Sequence, residues 1–161
     1  MTADAQLLEA LQSGESWRFA DWPNPAVPKV AAGVYTIWQG RSFIYVGMSG
    51  RAMSLDMETP GEPTKPKGLW TRLNSHAAGR RSGDQFCVYV CDRFVVPCLT
   101  ADQQARIGDG TLSLDVLTKK FIHDHLSYRF VTVINGHEAL SLERDVQRGA
   151  LVIGKPFLNP L

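Results

Sequence analysis

Two tyrosines, an arginine followed four residues later by a histidine, and a glutamate set among apolar residues are the side chains of this 161-residue chain that could do chemistry together. Tyr35 closes the tripeptide Gly33-Val34-Tyr35 and Tyr45 opens Tyr45-Val46-Gly47, on either side of Gln39-Gly40-Arg41-Ser42. The runs Val34 to Trp38 and Phe43 to Val46 are β-branched and aromatic and the glycine between them marks a turn, so they predict a β-hairpin. With a three-residue loop of Gln39, Gly40 and Arg41, Tyr35 pairs directly with Tyr45, Cβ atoms about 5 Å apart on one face. A two-residue loop sends the phenols to opposite faces. Further on, Leu69, Trp70, Leu73 and Ala77 follow the helical period, with Arg72 and His76 at i and i+4 along its edge, pointing the same way. In a third element, Ala139, Leu140, Leu142, Val146 and Ala150 form an apolar stripe, with Glu143 in its middle and not beside Arg144, Asp145 and Arg148. A carboxylate aimed inward is costly unless it is paired or bound to a cation. It is either half of a structural ion pair, with Arg72 a candidate partner, or a ligand to a divalent metal, which suits a site that handles phosphate.

Other elements must carry these groups. Ala5 to Leu11 predicts a short amphipathic helix, and Trp17, Trp22, Pro23, Pro25 and Pro28 mark an extended segment read as a wrap over the core ahead of a dimer arm or a substrate contact. The stretch from 48 to 68, rich in proline and glycine, predicts a long loop suited to gripping a substrate. Gln85 to Cys91 alternates as a strand does, with Phe94 to Leu99 as its partner; Ser113 to Leu126 predicts a helix facing inward through Leu114, Leu117 and Phe121. Tyr128 to Ile134 predicts another strand, and Asn135-Gly136 the turn into the helix of Glu143. His123 and His125 lie about 200° apart on a helix, so His123-Asp124-His125 does not read as a metal site.

Length and apolar content suit one compact domain. No run of 18 or more apolar residues is present and the N-terminus lacks a signal-peptide pattern, so a soluble, cytoplasmic protein without membrane contact is expected. Cys87, Cys91 and Cys98 are odd in number and their spacing matches no familiar zinc arrangement, so they read as small buried apolar residues. The formal charge of +1 is unevenly spread. From Arg41 to Arg81 seven cations, among them Arg51, Lys65, Lys67, Arg80 and Arg81, face three acids. This basic stretch is the candidate polyanion contact.

The two tripeptides, with valine in place of both isoleucines, resemble the pattern for which the GIY-YIG nuclease family is named. The helix of Arg72, the helix of Glu143 and a closing Pro156-Phe157-Leu158-Asn159 follow in order, so the resemblance covers most of residues 33 to 159. The Arg72-x3-His76 pairing looks like some GIY-YIG restriction enzymes. The resemblance implies an α+β fold in which a small mixed or antiparallel central sheet begins with the hairpin and is flanked by helices. The domain spans 33–161, preceded by an N-terminal helix and arm (1–32), with a strand and helix segment inserted at about 94–126. It implies a metal-dependent endonuclease that hydrolyses phosphodiester bonds, of DNA ahead of RNA, with Mg²⁺ or Mn²⁺ held by Glu143. Tyr35 is then the general base or the positioner of the attacking water. Tyr45 orients water or phosphate, Arg72 clamps the phosphate and His76 is a secondary proton or phosphate contact. Asn159 supports the site or meets substrate, along with Arg51, Lys65, Lys67, Arg80 and Arg81. Gly47 allows strand and helix to approach. An unperturbed phenol, with pKa about 10, is a poor base at neutral pH, and Arg72 and the metal would lower that value.

The segment from Glu143 to Asn159 is longer than in many relatives. The chain ends at Leu161 without the separate DNA-finding module of repair and homing relatives, so targeting falls to the 48–68 loop, the insertion, the N-terminal arm or a partner protein. A homodimer making paired cuts is compatible with this. Two other classes stay open: a nucleic-acid-binding or adaptor protein on the same fold, inactive or weak as a nuclease, and an interaction module anchored by Trp17 and Trp22.

Overall fold

A computed structural model describes residues 2–50 and 68–161. The predicted loop falls largely outside these residues, and so do Arg51, Lys65 and Lys67. The fold is α+β, with a four-stranded antiparallel sheet in the order β1-β4-β2-β3. Its strands are β1 (Trp17–Arg18), β2 (Gly33–Gln39), β3 (Ser42–Ser49) and β4 (Leu126–Thr132). Six α-helices are present among the described residues: α1 (Thr2–Ser13), α2 (Leu69–Ala78), α3 (Gln85–Val90), α4 (Ala101–Gly108), α5 (Leu114–His125) and α6 (Gly136–Gln147).

The hairpin differs from its expected register. Gln39 pairs with Ser42 around a two-residue turn, Gly40-Arg41, where Gly40 takes φ 58°, a left-handed value that favours glycine. Such a turn would place the phenols on opposite faces, but the register shifts between Ile37 and Trp38. Trp38 pairs with Phe43 while Ile37 pairs with Tyr45, so Ile44 is an extra, bulged residue. The bulge returns Tyr45 to the face of Tyr35. The two tyrosines are not direct partners: Tyr35 opposes Gly47, and the rings lie 6.5 Å apart between centroids.

Each face of the sheet carries its own core. One gathers Tyr35, Ile37 and Tyr45 with Leu69, Leu73 and Ala77 of α2 and Phe86, Cys87 and Val90 of α3. The other gathers Val34, Trp38 and Val46 with Leu11 of α1 and Ala139, Leu142 and Val146 of α6. The N-terminal segment is built into both cores, through Leu11 on one side and Phe19 and Val27 on the other. Beside α2, the Trp22 indole donates to Asn74 at 2.9 Å, and Asn24 donates to the Tyr128 hydroxyl at 3.1 Å.

Residues 85–98 are helical, and no strand forms between 85 and 99. Asp84 caps α3 by accepting from the Cys87 N–H, and the helix continues into a π turn, Cys91–Val95, and a 3-10 turn, Val96–Cys98. The buried positions Phe86, Cys87, Val90, Cys91 and Val95 follow a helical period. Tertiary packing and a good cap thus override the strand preference of a valine- and aromatic-rich run. Cys87 and Cys91 are buried as expected, because a four-residue spacing stays on one face in either period, whereas Cys98 is exposed. Helix α5 begins where expected, capped by Ser113, but its fully buried residues are Thr118 and Ile122, leaving Leu114, Leu117 and Phe121 half-buried. His123 bonds the Ala77 carbonyl at 2.8 Å, and His125 packs on Phe121.

Candidate functional site

The site lies where β2, β3 and α2 meet. Both glycines of the tripeptides serve close approach. A Cβ on Gly33 would run into the Val131 carbonyl and the Leu69 side chain, so a bare backbone lets the start of α2 close on the sheet. A Cβ on Gly47 would occupy the space of the Tyr35 hydroxyl and ring. Gly47 therefore makes room for the opposite phenol, a different use from the strand-to-helix approach expected of it. Gly47→Ala is expected to cost about 1–3 kcal/mol, as overpacking of a filled core does, read as a lower denaturation midpoint.

Tyr35 is fully buried, and its hydroxyl lies 2.6 Å from His76 Nε2. His76, expected at the edge of its helix, is also fully buried, with Nδ1 2.7 Å from Asp84 Oδ2. Its role as a phosphate contact is corrected by that burial: both ring nitrogens are engaged inside the protein. Asp84 also accepts from the Ser75 hydroxyl at 2.7 Å and the Cys87 N–H at 3.2 Å. A carboxylate accepts, so His76 carries its proton on Nδ1 and Nε2 accepts from the Tyr35 hydroxyl. The Tyr45 ring stands edge-on to His76 at 5.9 Å and against Phe86 at 4.9 Å.

Burial dominates the protonation of this cluster. It raises Tyr35 well above its ordinary value, and Tyr45 adds to the rise. The Arg72 guanidinium, within hydrogen-bonding reach of the Tyr35 phenol, lowers it as expected, but by less than burial raises it. Tyr45 is raised likewise, chiefly by burial, and the Glu143 carboxylate contributes to the rise. Burial lowers His76 despite its bond to Asp84. For Asp84 burial works upward, but the bonds from His76, Ser75 and Cys87 win and hold it at about 2.

His76 is lower in the folded chain than its ordinary 6.5, so its contribution is present above 6.5 and lost as pH falls through the folded value. That of Asp84 is present above 3.8 and lost toward about 2. Chemical denaturation at pH 7 and pH 5 should show a drop in stability that is smaller in His76→Gln.

Glu143 sits at the margin of the buried stripe of α6, with Leu140 and Gln147, and not in its middle; Ala150 lies beyond the helix and is exposed. Two links tie this helix to β3. The Asn159 amide donates to the Val46 carbonyl at 2.6 Å and accepts from the Val46 N–H at 3.2 Å, while Gln147 donates to the Asn159 carbonyl at 3.1 Å. With Phe157 and Leu158 bonded to the carbonyls of Phe43 and Ile44, the C-terminal segment covers the open edge of β3. Both ends of the Asn159 amide thus hold the backbone of the strand that carries Tyr45. Arg81 is paired through Nε with Asp115 at 2.8 Å at the surface, and Arg80 is exposed.

Tyr35, Tyr45, Arg72 and His76 are therefore drawn together, with Glu143 close enough to act on Tyr45. Asp84 is the residue that sequence reasoning missed. The turn Ser82-Gly83-Asp84 before Gln85 is a helix-start signal, masked by reading 85–91 as a strand. Glu143 is the carboxylate expected to hold a divalent cation, and Asp84, the other carboxylate of this cluster, is bonded to His76. No group of three metal-capable side chains gathers among the described residues, so water and substrate oxygens would have to complete the shell. No helix among the described residues is long and apolar enough to cross a membrane. No family model, no curated protein and no solved structure matches this chain.

Proposed function

We propose that this chain is a metal-dependent endonuclease of the GIY-YIG kind, hydrolysing nucleic-acid phosphodiester bonds, with DNA the favoured substrate. The observation that carries the reading is the convergence of Tyr35, Tyr45 and Arg72 on one face of the hairpin, with His76 bonded behind Tyr35. A buried phenol cannot ionise unaided at neutral pH, but it need not. As water attacks phosphorus, its proton passes to the Tyr35 oxygen while the Tyr35 proton passes to His76 Nε2. The bond from phosphorus to the leaving oxygen breaks and that oxygen takes a proton from solvent; Tyr35 then releases to solvent the proton it took from water and receives its own back from His76 Nε2, which restores both groups. Arg72, a permanent cation, offsets the charge that builds on the phosphoryl oxygens. Tyr45 orients water or phosphate beside it. Glu143 would hold Mg²⁺ or Mn²⁺, which when bound polarises the scissile phosphate and stabilises the leaving oxygen.

One observation favours a second reading, a nucleic-acid-binding protein on this fold that does not cleave. Tyr35 is fully buried, so water reaches its oxygen only if substrate opens the pocket. Plasmid nicking and fluorescence anisotropy on labelled duplex separate the two readings. Cleavage with Mg²⁺ and none with EDTA supports the nuclease; salt-sensitive binding with no cleavage under either condition supports the binding protein.

A further inference from the structure

We infer that Asp84 is a positioning residue: it fixes His76 in the tautomer whose Nε2 receives the Tyr35 proton, and its carboxylate balances the imidazolium that forms. The inference rests on the nuclease reading for its catalytic half and on geometry alone for its tautomeric half.

The carboxylate is itself held on both oxygens. Oδ1 accepts from the Cys87 N–H at the start of α3, and Oδ2 accepts from the Ser75 hydroxyl and faces His76 Nδ1. It is buried, with 3% of its surface exposed, and each of these donors comes from a regular element. His76 is faced by Tyr35 from β2, by Tyr45 from β3, by Arg72 from its own helix, and by Asp84, Phe86 and Cys87 from α3 and its cap. Cys87 approaches the His76 carbonyl, not the ring. Asp84 is thus the group bonded to Nδ1. An imidazole that gains a proton in a buried site needs a nearby anion, and Asp84 stands 2.7 Å away. Burial lowers the proton affinity of His76, leaving it neutral and ready to accept at pH 7.

The second bond on Oδ1 makes an unusual test possible. In Asp84→Asn the Cys87 N–H demands an acceptor, so the amide oxygen must take the Oδ1 position and the NH₂ must face His76. The amide then donates to Nδ1, His76 must carry its proton on Nε2, and the Tyr35 proton has nowhere to go.

The experiment is two-dimensional ¹H–¹⁵N NMR of the imidazole rings at pH 7, for wild type and Asp84→Asn, with His76→Gln identifying the signals. Plasmid cleavage is measured on the same samples. Expected are an Nδ1–H tautomer in wild type, an Nε2–H tautomer in Asp84→Asn, and cleavage lower by about 10²–10⁴-fold in the variant, the range for loss of a general base. Ser75→Ala keeps the Nδ1–H tautomer. The inference is overturned by an Nε2–H or imidazolium form in wild type, a measurement that needs no variant to fold. It is equally overturned by an unchanged tautomer in folded Asp84→Asn, or by a flipped tautomer with undiminished cleavage. An Nδ1–H wild type that flips in the variant but shows no cleavage supports the tautomeric half and overturns the nuclease reading instead.

Discussion

Glu143→Gln lowers metal-dependent cleavage by about 10²–10³-fold or more, the loss that follows removal of one group stabilising transition-state charge. The substitution keeps the size of the side chain and removes its charge. Glu143 lies at the margin of the buried stripe of α6, and denaturation curves measure what the substitution costs the fold. Because one protein carboxylate is a thin anchor, part of the lost rate should return at high Mg²⁺, where water and phosphate oxygens carry more of the coordination. A glutamate serving as half of a structural ion pair behaves differently: its loss lowers the denaturation midpoint and leaves the metal dependence of cleavage as it was. Cleavage rates against Mg²⁺ concentration, with denaturation curves for both proteins, separate the two.

Tyr35→Phe removes one oxygen from a fully buried ring and should lower single-turnover cleavage by about 10²–10⁴-fold, the usual range for loss of general-base catalysis. Duplex binding, carried by cations elsewhere, should be unchanged in anisotropy titrations. The variant also leaves His76 Nε2 buried without the hydroxyl it accepts from, which costs about 1–3 kcal/mol of stability. If the hydroxyl served packing alone, that stability loss would be the whole effect and the rate would stay within a few-fold of wild type.

Much of this arrangement is legible before any coordinates. Period-two runs around a glycine announce the hairpin, and the 3.6 period announces the helices of Arg72, Glu143 and Leu117. The errors have specific causes. Counting loop residues cannot reveal a bulge, and the extra Ile44 decides which face Tyr45 occupies. Phe86 to Val90 has the composition of a strand, and the cap at Asp84 together with burial against Tyr45 and His76 makes it a helix. His76 at i+4 from Arg72 is correctly placed beside it, but amphipathic periodicity does not separate the margin of a helix from a buried polar pocket. The partner that satisfies His76 lies eight residues away, beyond the helix, so its contact is a tertiary fact. Asn159 is similar: its pairing with Val46 spans 113 residues and becomes visible once the C-terminal segment lies along β3.

The most direct measurement is nicking of supercoiled plasmid by wild type, Glu143→Gln and Tyr35→Phe purified identically, each with Mg²⁺, Mn²⁺ or EDTA. Nicking or linearisation by the wild type that requires a divalent ion and falls away in both variants is the expected result. Cleavage that persists undiminished in either variant contradicts the assigned site, and binding without cleavage by the wild type in any metal contradicts the nuclease itself.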